Sequence, residues 1–212
     1  HQSLTEQTDS GVSLSGSYRP DDYWTLSTAL NSYSLSVPLR AINDGVDGQS
    51  ASLGLGYRWH ESRSAGVSYE TVDFSDGNVR QSMSAFYSHK IYADPVHQVS
   101  LRESVYTSRN SEDDQRRYYN PERDQAASLT VQYEGLLSQS TQKRWTHHLN
   151  VGIGVYKQSS AGSAFIWDID YQQRWRISKA AYFHYGLLHK ERSYDGQGEG
   201  YNAVYCGLNL RF

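Results

Sequence analysis

Tyr201-Asn202-Ala203-Val204-Tyr205-Cys206-Gly207-Leu208-Asn209-Leu210-Arg211-Phe212 decides how this sequence is read. Its last residues alternate strictly. Leu208, Leu210 and Phe212 point to one side, and Gly207, Asn209 and Arg211 to the other. Period two is the geometry of a strand with one apolar and one polar face. Cys206 has the parity of the leucines and reads as a small apolar residue on their side. The stretch also runs to its final aromatic residue without the polar fraying common at the ends of soluble domains.

The same alternation recurs upstream over 11–18, 23–33, 49–59, 65–74, 79–91, 96–108, 125–137, 145–156, 163–175 and 180–192. Ala127, Leu129, Val131 and Tyr133 face one way, for example, and Ser128, Thr130, Gln132 and Glu134 the other. Composition agrees with so many strands. The 212 residues hold 18 Tyr and 17 Gly, with 37% hydrophobic and 20% charged residues. That is too little charge for a disordered chain, and no apolar run approaches the roughly 18 residues of a spanning helix. A barrel whose inner residues face water has such a composition. The net charge of −3 argues against nonspecific nucleic-acid binding, and the single Cys206 excludes an internal disulfide framework. No motif calls for a cofactor or a metal.

Two regularities identify the kind of sheet. Short and longer connections alternate, as in outer-membrane barrels with tight periplasmic turns and longer outer loops. Trp24, Trp59, Trp145 and Trp175 all fall near short turns and on the apolar side, where amphipathic rings suit a membrane interface. The expected fold is therefore all-β: an antiparallel, up-and-down transmembrane β-barrel with 11 to 12 strands, residues 1–212 forming one barrel domain. An odd count places the two ends on opposite sides. Bacterial barrels are even-stranded, so either residues 1–10 contribute part of a twelfth strand or further strands precede them. Glu103 is the poorest fit, a carboxylate on the apolar side, and a β-bulge is expected to re-aim it.

Parity turns Glu70, Glu134, Asp168 and Asp170 inward, with Gln132, Asn150 and Gln172. Asp168 and Asp170 share one face of one strand and form a doubled negative site. Pairing to Arg58, Arg102, Lys190 or Arg211 across strands would make them ordinary lumen carboxylates. The long connections are acidic, with Asp44 and Asp47 in the first. Tyr118-Tyr119-Asn120-Pro121 reads as either a sugar-stacking platform or a packed loop tip. A rival reading, an outer-membrane hydrolase, would gather His147, His148, His184 and His189 around Asp168 and Asp170. A third is a structural or receptor barrel that transports nothing.

Two resemblances sharpen these readings. Tyr205-x-Gly207-x-x-Leu210-x-Phe212 resembles the terminal signal by which outer-membrane barrels are recognised for insertion, which implies the barrel-assembly machinery as a partner. Val37-Pro38-Leu39-Arg40-Ala41-Ile42-Asn43-Asp44-Gly45-Val46 with Gly48, Asp73-Phe74-Ser75-Asp76-Gly77-Asn78, Tyr118-Tyr119-Asn120-Pro121 and Tyr194-Asp195-Gly196 resemble the C-terminal porin domain of the poly-β-1,6-N-acetyl-D-glucosamine export porins, the PgaA/HmsH family. The resemblance implies a sixteen-stranded outer-membrane barrel preceded by periplasmic tetratricopeptide repeats, with about five strands upstream of this chain. It also implies a partly deacetylated, partly cationic biofilm exopolysaccharide as cargo and a periplasmic polysaccharide deacetylase as partner. The inward carboxylates and the loop residues Tyr118, Tyr119, Asp44 and Asp47 are then the candidate sugar contacts, with outer-membrane lipid on the apolar side.

Overall fold

The computed structural model describes residues 11–32, 45–112, 120–141, 143–159, 161–178, 180–194 and 197–210. Eleven strands form one sheet. They are β1 (Ser13–Tyr18), β2 (Trp24–Asn31), β3 (Gly48–His60), β4 (Arg63–Phe74), β5 (Val79–Ala93), β6 (His97–Asn110), β7 (Arg123–Gln139), β8 (Arg144–Gln158), β9 (Gly162–Arg176), β10 (Ala181–Tyr194) and β11 (Gln197–Leu210). They pair in chain order, each antiparallel to the next. Every strand expected from the alternation is present. Most boundaries shift by one or two residues, and one moves further: β11 starts at Gln197, opposite Tyr194, and not beyond a loop reaching Gly200.

Parity decides where the apolar side chains go. Among the described residues only Val72, Phe74 and Ile166 are buried hydrophobics. Leu53, Met83, Val105, Val155, Phe165, Leu187 and Leu208 are each at least half exposed, all on the outward face. A sandwich would cover such residues with a second sheet. A single sheet with a continuous apolar exterior and a polar interior needs lipid instead.

The register carries the stagger of a barrel. Tyr57 near one end of β3 lies in a row with Ala65, Tyr87, Glu103, Leu129, Ile153, Trp167 and, near the opposite end of β10, Glu191. Such a climb tilts the strands against the barrel axis and lets a sheet close.

At the short-turn end the aromatic residues form a band. Ring centroids lie 4.5 Å apart for Trp24–Tyr57, 5.0 Å for Tyr57–Trp59, 6.1 Å for Trp59–Tyr87 and 4.5 Å for Trp145–Trp175. At the Trp145 end of the band, Gln173 gathers the polar ends of three rings. Trp145 Nε1 (3.0 Å) and the Tyr185 hydroxyl (2.8 Å) both donate to Gln173 Oε1, while Gln173 Nε2 donates to the Tyr171 hydroxyl at 2.9 Å.

Register irregularities occur at Arg58/His60, Lys90/Tyr92 and Leu136/Ser138, all towards that same rim. None lies near Glu103. The expected bulge is absent there, and Glu103 stays exposed on the outward face, directly opposite Tyr87 and Leu129. The ladder is unbroken on both its sides, which fixes its parity.

Candidate functional site

The inward face of β8 to β11 carries the acidic pair. Asp168 stands opposite Gly152 on β8 and Lys190 on β10, and Asp170 opposite Asn150 and Leu188. Gly152 has no side chain where Asp168 needs room: a Cβ there would lie 2.6 Å from Asp168 Oδ1. Asp170 Oδ1 accepts from the Tyr205 hydroxyl at 2.8 Å, two strands away, and that hydroxyl receives Gln172 Nε2 at 3.4 Å. Of the cations expected as partners, Lys190 stands directly opposite Asp168 on the neighbouring strand, whereas Arg58 on β3 and Arg102 on β6 lie strands away and are engaged there. Arg58 Nη2 donates to the Asp22 carbonyl at 3.0 Å, and the Arg102 guanidinium sits 3.7 Å over the Phe86 ring. Among the described residues no ion pair is formed by Asp168 or Asp170.

The other candidates divide. Glu134 does form the ordinary lumen pairing, with Arg144 at 3.4 Å and His148 at 3.7 Å. Glu70 lies inward between Ser52 and Ser82 and is itself engaged. Asp47 is exposed, and its backbone is tied to Ser75 of the next outer turn by bonds of 3.0 and 2.9 Å. Asp44, Tyr118, Tyr119 and Phe212 lie outside the described residues. Of the terminal pattern, Leu210 points outward with Leu208, whereas Tyr205 and Gly207 belong to the inward face. The histidines that a hydrolase would gather are split: His148 and His184 face inward, His147 and His189 outward.

A second polar cluster, which sequence reasoning did not assemble, closes the inner side of the opposite end. Asn78 is fully buried. Its Nδ2 donates to Asn110 Oδ1 (3.2 Å) and Asn120 Oδ1 (2.9 Å), and its Oδ1 accepts from Ser111 Oγ and the Glu112 amide, both at 3.3 Å. Asn120 Nδ2 donates to the Glu112 carbonyl at 3.0 Å, and Asn110 Nδ2 to the Pro121 carbonyl. Beside this knot, Arg80 reaches Asp124 at 3.2 Å and the Tyr106 hydroxyl at 3.0 Å, and Asp124 also accepts from Tyr156 (2.7 Å) and Ser108. The available signal was the Asp-Gly-Asn turn, where Gly77 takes φ 90°, together with Asn120-Pro121; the sequence does not say that they meet.

Comparison with known proteins decides what this sheet is. The family model for the PgaA membrane β-barrel domain matches residues 1–212. This chain belongs to that family. It is 31% identical over 202 residues to the poly-β-1,6-N-acetyl-D-glucosamine export protein of Escherichia coli K12, and equally to that of strain O157:H7. The match takes in 95% of this chain but 25% of those proteins, so the chain spans about a quarter of their length. A solved bacterial polysaccharide outer-membrane secretin superposes with a TM-score of 0.90 at 31% identity, over 95% of this chain and 69% of that one. The NanC porin, at 10% identity and a TM-score of 0.51 over 95% of this chain and 93% of its own, shares the fold alone. The sheet is an outer-membrane β-barrel domain: its outward face meets lipid, its inward face the lumen.

Proposed function

We propose that this chain is the barrel of a longer outer-membrane porin that exports a partly deacetylated poly-β-1,6-N-acetyl-D-glucosamine for biofilm formation. The observation that carries the reading is the Asp168–Asp170 pair, held side by side on the lumen wall with no ion pair among the described residues. Residues two apart on one strand are about 7 Å apart. Two carboxylates at that spacing form a local negative field for a polymer with free ammonium groups. The export proteins named above support the choice of polymer. Asp47 and the acidic outer loops extend the field to the exit; along the wall Glu70 stands further on, while the charge of Glu134 is met by Arg144.

The porin makes and breaks no bonds on this reading. A periplasmic deacetylase supplies the amines, and the barrel-assembly machinery engages the Tyr205, Gly207, Leu210 and Phe212 pattern. Double neutralisation, Asp168→Asn with Asp170→Asn in the full-length protein, is expected to lower polymer secretion several-fold while folded porin stays at its normal level in the membrane. Unchanged secretion removes the pair from the path. No current block by the polysaccharide in single-channel recordings of the wild type would point to a structural or receptor barrel.

A further inference from the structure

The lumen wall beside the acidic pair is shaped by two glycines on which aromatic rings lie. Tyr205 of β11 stands opposite Gly186 of β10, and a Cβ on Gly186 would lie 2.5 Å from the phenol ring. The ring therefore lies across the backbone of β10 and reaches Asp170 on β9. Its neighbour repeats the device in reverse. His184 of β10 stands opposite Gly207 of β11, where a Cβ would be 2.5 Å from His184 Cε1. Tyr182 continues the line. Ring centroids step 6.0 Å from Tyr182 to His184 and 6.3 Å from His184 to Tyr205. All three rings are half-buried. Tyr205 and His184 lie against the backbone of the neighbouring strand, and the three rings step along the wall tilted by 34° and 53° to one another, each partly open to the lumen.

An aromatic face binds the C–H face of a pyranose without regard to its substituents, whereas a carboxylate distinguishes an ammonium from a neutral acetamide. The row has both, in order: three rings, then Asp170 fixed by the Tyr205 hydroxyl, then Asp168 leaning over Gly152. Three cations flank the row: Arg174 is turned to Gln172 Oε1 at 2.9 Å, Arg176 stands opposite Tyr182, and Lys190 stands opposite Asp168 at the far end.

We propose that Tyr182, His184 and Tyr205 form a stacking shelf for a hexosamine chain, and that Asp170 with Asp168 at its end takes the ammonium of an unacetylated glucosamine unit. This rests on the export reading and names where in the lumen that polymer is held. It also gives Tyr205 and Gly207 a lumen role in addition to the terminal signal.

The test uses the full-length porin, folded in detergent, with two probes: a β-1,6-linked glucosamine hexasaccharide with free amines and its fully N-acetylated counterpart. Titration calorimetry and current block in planar bilayers report binding. Wild type is expected to prefer the free-amine probe by about tenfold, which is about 1.4 kcal/mol. Asp170→Asn should erase that preference and leave the acetylated probe unaffected. Tyr205→Leu, which keeps bulk over Gly186 but has no ring, should weaken both probes about tenfold. Because Tyr205 also belongs to the terminal pattern, only heat-modifiable, folded protein is compared, and His184→Leu serves as a second ring deletion outside that pattern. If the wild type binds both probes and neither ring deletion changes this, the shelf is wrong and the export reading stands. If it binds neither probe, both fail.

Discussion

Two polar clusters share the inward face of this sheet, and they are built on opposite rules. The knot around Asn78, Asn110, Asn120, Arg80 and Asp124 is sealed: Asn78 and Asp124 are 0% and 2% exposed, and the side-chain oxygen and nitrogen of Asn78 and both carboxylate oxygens of Asp124 have partners. The wall around Asp168, Asp170 and Tyr205 is half-open, with carboxylates that form no ion pair among the described residues. A buried donor or acceptor must be matched or it costs stability. A wetted one can wait for a ligand. The difference separates groups that hold a loop from groups able to meet a passing polymer.

The sharpest way to break that contrast is to open the knot. Arg80→Met leaves Asp124 buried without its cation, and the loss of one partner of a buried pair costs about 3–5 kcal/mol. Guanidinium unfolding of the full-length porin in micelles should show it, and Arg80→Met with Asp124→Leu should recover most of it. The wall pair is the control: Asp168→Asn with Asp170→Asn should shift the same titration by no more than about 0.5 kcal/mol, as for surface substitutions generally. Equal shifts in the two experiments would abolish the distinction.

Much of the barrel was legible because period two is written residue by residue, and a one-residue error would turn every side chain to the wrong face. All eleven strands and the aromatic rim follow from that. The knot was not legible, because Asn78 and Asn120 are 42 residues apart and only the antiparallel register brings them together. Tyr205 was legible as an inward residue but not as the group that orients Asp170, since that contact skips β10. Glu103 shows the limit of a rule based on fitness for lipid: the sequence places a carboxylate among apolar neighbours, and the unbroken ladder leaves it there.

Glu103 therefore adds a third case, a carboxylate neither sealed nor wetted by the lumen. Charged side chains on the lipid face of a barrel cost up to about 2–4 kcal/mol at the midplane for Arg and Lys, and less for Glu. Glu103→Leu is expected to raise unfolding stability by about 1 kcal/mol in the same titration. A fall in stability would mean that a partner in the membrane covers this carboxylate.

The smallest effect separates closure from burial. Asp94, in the turn after β5, is closed but fully in water: its Oδ1 accepts the amides of Val96 (2.7 Å) and His97 (2.6 Å), and its Oδ2 the Tyr92 hydroxyl at 2.6 Å. The Tyr92 hydroxyl, then the two amides, hold its carboxyl below the ordinary carboxylate range. The sign follows from the direction. A group whose pKa is lowered by folding stabilises the fold above its unfolded value, about 3.9 for Asp, and that contribution drains away as pH falls through the lower folded value. Normalised hydrogen-exchange protection of the His97 amide should thus be flat above about pH 4 and decline below it. In Asp94→Ala the decline should vanish, with little change in global unfolding, because water replaces each lost bond at an exposed turn. If Asp94→Ala instead unfolds the barrel as readily as Arg80→Met, then hydrogen-bond closure alone gives the knot its strength and burial adds nothing.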